Sequence, residues 1–262
     1  MTSATELFDV TGRSALVTGA TGAFGQAAAR GLARAGACVT LAGGNGEKLA
    51  AVERELREAG ARVASIARRP ETEEDAGAIV AEAVRAHAGL DIVVSASGMN
   101  RVGKITEQPV EEWQAVMDAN VKGSWLICRA AGRSMIDQGR GGKIVLVSST
   151  RGRLGHPAGY AAYSPSKAAV DLLTKTLACE WGAHKITVNA IGPTVFRSDL
   201  TEWMYSDEDP GRSVREAMLA RIPLGRLGEP DDFVGAVLFF SSPASDFCTG
   251  QTLYVDGGYT AG

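Results

Sequence analysis

Short runs of apolar and β-branched residues alternate along the chain with longer, Ala-rich stretches whose apolar positions recur at helical spacing. Ser14–Thr18 (SALVT), Cys38–Ala42 (CVTLA), Arg62–Ile66, Asp91–Ser95 (DIVVS), Lys143–Val147 (KIVLV), Ile186–Ile191 and Thr252–Val255 predict strands. Between them, Ala23–Ala35, Glu47–Ala59, Glu71–His87, Glu111–Gln138, Pro165–Trp181 and Asp231–Ser241 predict helices. The strands are apolar on both faces, as a sheet covered on both sides requires. Strands alternating with helices of this length make βαβ units. The expected fold is α/β: a single-domain, Rossmann-type doubly wound parallel sheet of about seven strands, with helices on both faces, over 1–262. No linker, repeat or low-complexity segment divides the chain. Thr201–Gly228 breaks the pattern with acids, Pro, Gly, Met and Trp. With the residues leading into it, 197–228 is expected to be a substrate lid over the carboxyl edge of the sheet, an ordinary long connection being the alternative.

Composition narrows the field. A chain 45% hydrophobic with a net charge of −3 is neither disordered nor strongly basic. Arginine outnumbers lysine 20 to 7, but the arginines are scattered, so no nucleic-acid partner is expected. The longest apolar run, Phe233–Phe240, is far short of the roughly 20 residues of a membrane span, and Met1–Val10 carries no signal pattern. Cys38, Cys128, Cys179 and Cys248 lie far apart, which fits a reduced, cytoplasmic setting with buried apolar thiols. His87, His156 and His184 form no metal-binding pair, and no metal is expected.

The chemistry concentrates in a few motifs. Thr18–Gly25 (TGATGAFG) joins the first strand to the first helix. Glycines there permit a tight turn, and the helix amino terminus offers N–H groups to a pyrophosphate. Gly19, Thr21, Gly22, Phe24 and Gly25 are the candidate contacts, against the alternative of a plain glycine turn. Tyr163-Ser164-Pro165-Ser166-Lys167 places a phenol and an ammonium one helical turn apart, and Pro165 confines Tyr163 to the first turn. Such an ammonium favours phenolate, so Tyr163 can act as general base or acid. Ser148-Ser149 follows the fifth strand, and Asn120 falls within the long helical stretch. Taken alone, a strand-end turn and a structural amide explain them equally well.

With Asn120, Ser149, Tyr163 and Lys167 together, the chain resembles the short-chain dehydrogenase/reductase family. That family's turn reads TGxxxGxG, and here Ala23 stands at its middle glycine. Ile191–Val195 (IGPTV) resembles its PG segment, with Thr194 where Gly is usual, and Asp256-Gly257-Gly258 its carboxy-terminal signature. Ser95-Ala96-Ser97-Gly98 replaces its NNAG. The resemblance implies an NAD(P)(H)-dependent oxidoreductase moving a hydride between nicotinamide and a secondary alcohol or ketone. Ser149 and Tyr163 would bind the oxygen, Lys167 would hold the nicotinamide ribose, and Asn120 would hold a water in a proton relay through Lys167. Ser95, Ala96, Gly98, Tyr163, Lys167, Pro193 and Val195 become further cofactor contacts. A homotetramer built on the two long helices around Asn120 and Leu172 and on the C-terminal strand is also implied. The apolar face Val170, Leu173, Leu177 could serve that interface or the core.

Gly43-Gly44-Asn45 ends the second strand where NAD-binding folds carry an acid, and Ala67-Arg68-Arg69 ends the third. Missing acids and two guanidinium groups favour NADP(H) over NAD(H), unless the arginines only face solvent. Arg101, Lys104, Arg151, Arg153, His156 and Arg197 sit on loops expected to ring the pocket and would attract an anionic small-molecule substrate, or else are ordinary surface cations. GMNRVGKI (98–105), SSTRGRLG (148–155), GPTVFRSDLT (192–201) and YVDGG (254–258) loosely resemble the gluconate 5-dehydrogenase, sugar-acid branch. The rival readings are a 3-oxoacyl thioester (acyl-carrier-protein) reductase and a non-catalytic nicotinamide-binding sensor.

Overall fold

The computed structural model describes residues 3–198 and 201–262. Seven strands, β1 (Ser14–Thr18), β2 (Cys38–Ala42), β3 (Val63–Ile66), β4 (Ile92–Ser95), β5 (Gly142–Val147), β6 (Ile186–Pro193) and β7 (Thr252–Val255), form one sheet. Their order is β3-β2-β1-β4-β5-β6-β7, with every pair parallel. The chain winds outward in one direction from β1 and then in the other from β4. Connections leaving that point on opposite faces open a crevice beyond the carboxyl ends of β1 and β4.

Helices cover both faces: α1 (Ala4–Leu7), α2 (Ala23–Arg34), α3 (Gly46–Glu58), α4 (Glu73–His87), α5 (Val110–Met117), α6 (Gly123–Gln138), α7 (Tyr163–Trp181), α8 (Gly211–Leu219) and α9 (Pro230–Ser241). Although the strands look uniformly apolar, their side chains sort with a period of two. Ala15, Val17, Ile92, Val94, Val145 and Val147 join one core with Leu32 of α2, Leu49 of α3 and Phe233 and Val237 of α9. Leu16, Val93, Ile144 and Leu146 join the other with Ile79 of α4, Ile127 and Met135 of α6 and Val170 and Leu177 of α7. Val170 and Leu177 are therefore core, whereas Leu172 is 65% exposed.

Three sequence expectations change. The stretch Glu111–Gln138 is not one helix: a π-helical turn, Asp118–Lys122, separates α5 from α6. The segment 197–228 has structure of its own, a 3₁₀ turn at Glu202–Tyr205 followed by α8. Its neck is closed, because Arg197 N–H donates to Gly228 O (2.8 Å) and Gly228 N–H to Val195 O (3.0 Å). Asp199 and Leu200 of this segment lie outside the described residues. Of the cysteines, Cys38 and Cys128 are buried, Cys248 is half-buried and Cys179 is exposed. Among the described residues no helix is long and apolar enough to cross a membrane, and no cluster of His, Cys, Asp or Glu could hold a metal ion.

Candidate active site

The glycine turn runs directly from β1 into α2. Gly19 has φ +65°, and a Cβ there would stand 2.6 Å from the Ala96 carbonyl. A Cβ on Gly25 would overlap the Gly19 carbonyl oxygen. These two glycines let α2 press against the turn and the turn against the end of β4. Gly22 is different: it is exposed, has ordinary extended backbone, and caps α2 with no side-chain hydrogen bond. The first amides of α2 thus face the crevice unpartnered by a cap, beside space that no side chain fills. Ala23, the first helical residue, leaves that cradle intact. Phe24 turns away from it, packing its ring on Phe196 and Phe233 (centroids 5.2 and 4.8 Å).

A cleft of about 690 Å³ continues from the turn, lined by Gly19, Thr21, Gly22, Gly43, Gly44, Arg69, Ala96 and Gly98. Open backbone, a free helix terminus and this length of cleft fit a dinucleotide. At its outer end the two arginines part ways. Arg69 lies over Gly44, where a Cβ would collide with its Nε and Cδ atoms. Arg68 is drawn to the start of α4, where its guanidinium donates to Asp75 Oδ1 (3.0 Å). Asn45 caps α3, its Oδ1 accepting from Lys48 N–H (2.9 Å). Glu71 and Asp118 line the same cleft, but so do Arg101 and Lys122, the latter paired with Asp118 (3.7 Å).

Asn120, Ser149, Tyr163 and Lys167 converge at the carboxyl edge between β4 and β5. The π turn rotates Asn120 inward, where it is fully buried. Its Oδ1 accepts from Met99 N–H (2.8 Å), and its Nδ2 donates to Met99 O and Ser166 Oγ (both 2.9 Å). Ser166 Oγ in turn donates to Tyr163 O (2.6 Å). Both amide protons are thus used, and the side chain braces the β4 exit against the first turn of α7. Ser149 Oγ accepts from Arg151 N–H (3.1 Å) and lies near enough to the Tyr163 phenol to lower its proton affinity. Lys167 Nζ donates to Val147 O (2.8 Å) and lies 5.7 Å from the Tyr163 ring centroid.

Burial dominates the electrostatics at Tyr163. Burial raises the phenol above its ordinary value and outweighs the lowering by Ser149 and Arg151. Burial also pushes the Lys167 ammonium down to about 8, Asp171 opposing only in part. Asp171, one turn beyond Lys167, is held above the usual carboxylate range by burial. The resting site therefore holds a neutral phenol next to a hydroxyl, a pair able to grip and protonate a carbonyl oxygen.

On the outer side stand Tyr160, 6.1 Å from Tyr163 between centroids, then His156, Arg151, Tyr259 and Arg221. Arg153 stacks on Tyr254, and Arg197 on Tyr205 with an ion pair to Glu229. Ser95 is buried at the end of β4, Pro193 closes β6 against Val255, and Val195 packs on a small apolar cluster with Tyr259. Sequence reading missed Tyr160, Arg221 and Tyr259. Only Tyr160, three residues before Tyr163, offered a local signal.

The family described as enoyl-(acyl carrier protein) reductase matches residues 19–260. An uncharacterized oxidoreductase of Mycobacterium tuberculosis is 57% identical over 97% of this chain and 93% of its own length. The gluconate 5-dehydrogenase of Gluconobacter oxydans is 38% identical over 97% of each chain. Among solved structures, a Burkholderia cenocepacia gluconate 5-dehydrogenase in complex with NADP and tartrate superposes with a TM-score of 0.92 at 33% identity, over 99% of this chain and all of that one.

Proposed function

The chain belongs to the short-chain dehydrogenase/reductase family, a nicotinamide-dependent oxidoreductase acting on CH–OH groups, and from that premise we propose that it interconverts a short hydroxy acid and its keto acid with NADP(H). The observation that carries the proposal is the Ser149–Tyr163 pair, set within reach of Lys167 at the carboxyl edge beside the glycine-lined cleft. Similarity to enzymes named for gluconate supports the acid. Arg69 over Gly44 supports the 2′-phosphate.

When bound, the nicotinamide supplies or receives the hydride. Ser149 and Tyr163 hold the substrate oxygen. In the reducing direction Tyr163 hands its phenolic proton to that oxygen, and its raised value keeps the proton on at neutral pH. In the oxidising direction Tyr163 must first lose that proton. Lys167, anchored to Val147 O through one N–H, has its other donors for the cofactor's ribose and for restoring the Tyr163 proton. Asn120 keeps α7 and the β4 exit in register. The segment 197–228 serves as the lid over the substrate. Trp113, Trp125 and Leu172, 42%, 45% and 65% exposed, support a homotetramer assembled through α5, α6 and α7 in the cytoplasm.

The test is an NADPH-oxidation screen of sugar keto acids, uncharged ketoses and a 3-oxoacyl thioester, with Tyr163→Phe alongside. We expect the acids to be preferred and Tyr163→Phe to lose about 10²–10⁴-fold in kcat while still binding NADPH. Preference for the thioester would move the protein to acyl-chain reduction. Unchanged turnover in the variant would remove Tyr163 from the chemistry.

A further inference from the structure

We propose that Arg151 and Arg221, gathered around Tyr259, form the subsite that holds the substrate's carboxylate. This deepens the hydroxy-acid reading and rests on it. The first observation is how the arginines of this region are partnered. Arg197, Arg212, Arg215 and Arg226, all of the excursion, pair with Glu229, Asp209, Asp207 and Asp232. Arg151 and Arg221 have no carboxylate partner among the described residues. The Arg151 guanidinium donates to Tyr259 Oη (2.8 Å) and, at 3.5 Å, to Gly155 O. Both are neutral acceptors, and they leave donors unused on a group that keeps its fork of five.

The second observation is convergence. The guanidinium carbons of Arg151 and Arg221 lie 5.3 and 4.3 Å from the centroid of the same ring, that of Tyr259, which is 1% exposed. The ring face offsets part of the repulsion between two cations but does not neutralise them. His156 stacks 4.9 Å from Tyr160, and the fields of Arg151 and Arg221 add to burial in holding its imidazole below the ordinary value. Two guanidinium groups, brought to one ring from two separate segments with no carboxylate partner among the described residues, constitute a site for an anion.

The third observation is place. Arg151 stands two residues beyond Ser149, and its own N–H fixes the Ser149 hydroxyl. From the Tyr163 ring it is 6.1 Å to the Tyr160 ring, and 5.8 Å from there to the Arg151 guanidinium. A sugar acid with its reacting carbon at Tyr163 would extend its carboxylate past Tyr160 toward Arg151. Arg151 arrives after β5, Arg221 at the end of the excursion and Tyr259 after β7. Binding the carboxylate would therefore tie the lid to the edge that carries the reactive hydroxyls. A bidentate guanidinium clamp suits a planar carboxylate, and aromatic walls suit the carbon chain beside it.

The experiment measures steady-state kinetics of wild type, Arg151→Met and Arg221→Met with 5-keto-gluconate and with an uncharged ketose as probes, together with NADPH binding by fluorescence. Methionine keeps most of the stem and removes the charge. The subsite predicts a rise of tenfold or more in KM for the keto acid in each variant, kcat/KM for the ketose within threefold of wild type, and unchanged NADPH affinity. Equal losses on both probes, or no change in the keto-acid KM, overturn the subsite while leaving acid turnover by the wild type intact. A wild type that prefers the uncharged ketose overturns the hydroxy-acid reading first, and the subsite with it.

Discussion

Two adjacent arginines at the outer end of the cofactor cleft should contribute very unequally to binding. Arg69 lies over Gly44, inside the cleft, while Arg68 is held by Asp75 at the start of α4. A hydrogen bond to a charged group contributes roughly 1.5–3 kcal/mol. Removing the Arg69 guanidinium should therefore weaken a 2′-phosphate by about tenfold to a hundredfold, at 1.4 kcal/mol per tenfold. Arg69 is exposed and Glu71 and Asp118 share its cleft, so the lower end applies at ordinary salt, and the loss should shrink further as salt rises. Arg68→Ala forfeits only an exposed ion pair, worth about 0–1 kcal/mol to the fold, and should leave affinity within twofold. The assay is a fluorescence titration of Arg69→Ala, Arg68→Ala and wild type with NADPH and NADH. NADPH binding should weaken in Arg69→Ala alone, with NADH unchanged in all three. Arg68→Ala weakening NADPH as much as Arg69→Ala would refute the division of labour. Equal losses for both cofactors would show that Arg69 does not meet the phosphate.

The remaining expectations concern packing, protonation and assembly. Gly25→Ala forces a Cβ onto the Gly19 carbonyl and should cost about 1–3 kcal/mol in denaturant unfolding, whereas Gly22→Ala, with its nearest neighbour at 3.5 Å, should leave unfolding unchanged and weaken cofactor binding alone by filling the open side of the cleft. Burial holds Lys167 near 8, below its ordinary 10.5, so the unfolded chain binds more protons between those values and stability should rise across that window. Measured against Lys167→Met, wild type should gain about 2 kcal/mol between pH 8 and 9.5; a constant difference contradicts the buried ammonium. The raised Tyr163 phenol predicts that alcohol oxidation accelerates with rising pH while ketone reduction slows, both slopes vanishing in Tyr163→Phe; parallel profiles in the two directions would count against its acid–base role. Leu172→Glu should lower the mass seen by light scattering without lowering the melting temperature of the protomer; unchanged mass would exclude the α5–α7 face as the interface.

Much of the fold could be read locally. The bounds of β1, β2 and β7 follow from β-branched runs ended by Gly, Ala-rich helices or polar turns, and α7 begins where Pro165 requires. The losses have a common origin in contacts that local pattern does not encode. A π turn has the same composition and almost the same periodicity as the α-helix it interrupts, so the inward rotation of Asn120 left no trace in the sequence. Arg68 and Asn45 were claimed by the helix starts of α4 and α3, a competition decided by caps that form in three dimensions. Arg221 and Tyr259 reach Arg151 from 70 and 108 residues away, and only folding brings them together. Spacing reveals the lysine one turn from Tyr163 but not the depth of burial, which raises the phenol and lowers the ammonium.

The π turn also sets the terms on which this region can change in evolution. Asp118–Lys122 carries one residue more than a continuous α-helix would need, and such a bulge gives up hydrogen-bond quality for placement. Shortening it by one residue would let α5 run straight into α6, a more regular and inherently better helix. The same shortening would swing Asn120 away from Met99 and Ser166 and release the first turn of α7 from the exit of β4. The regularity gained by the helix is therefore set against three hydrogen bonds of a fully buried side chain. The extra residue therefore sets where Asn120 points and, through Ser166, how the first turn of α7 meets the exit of β4.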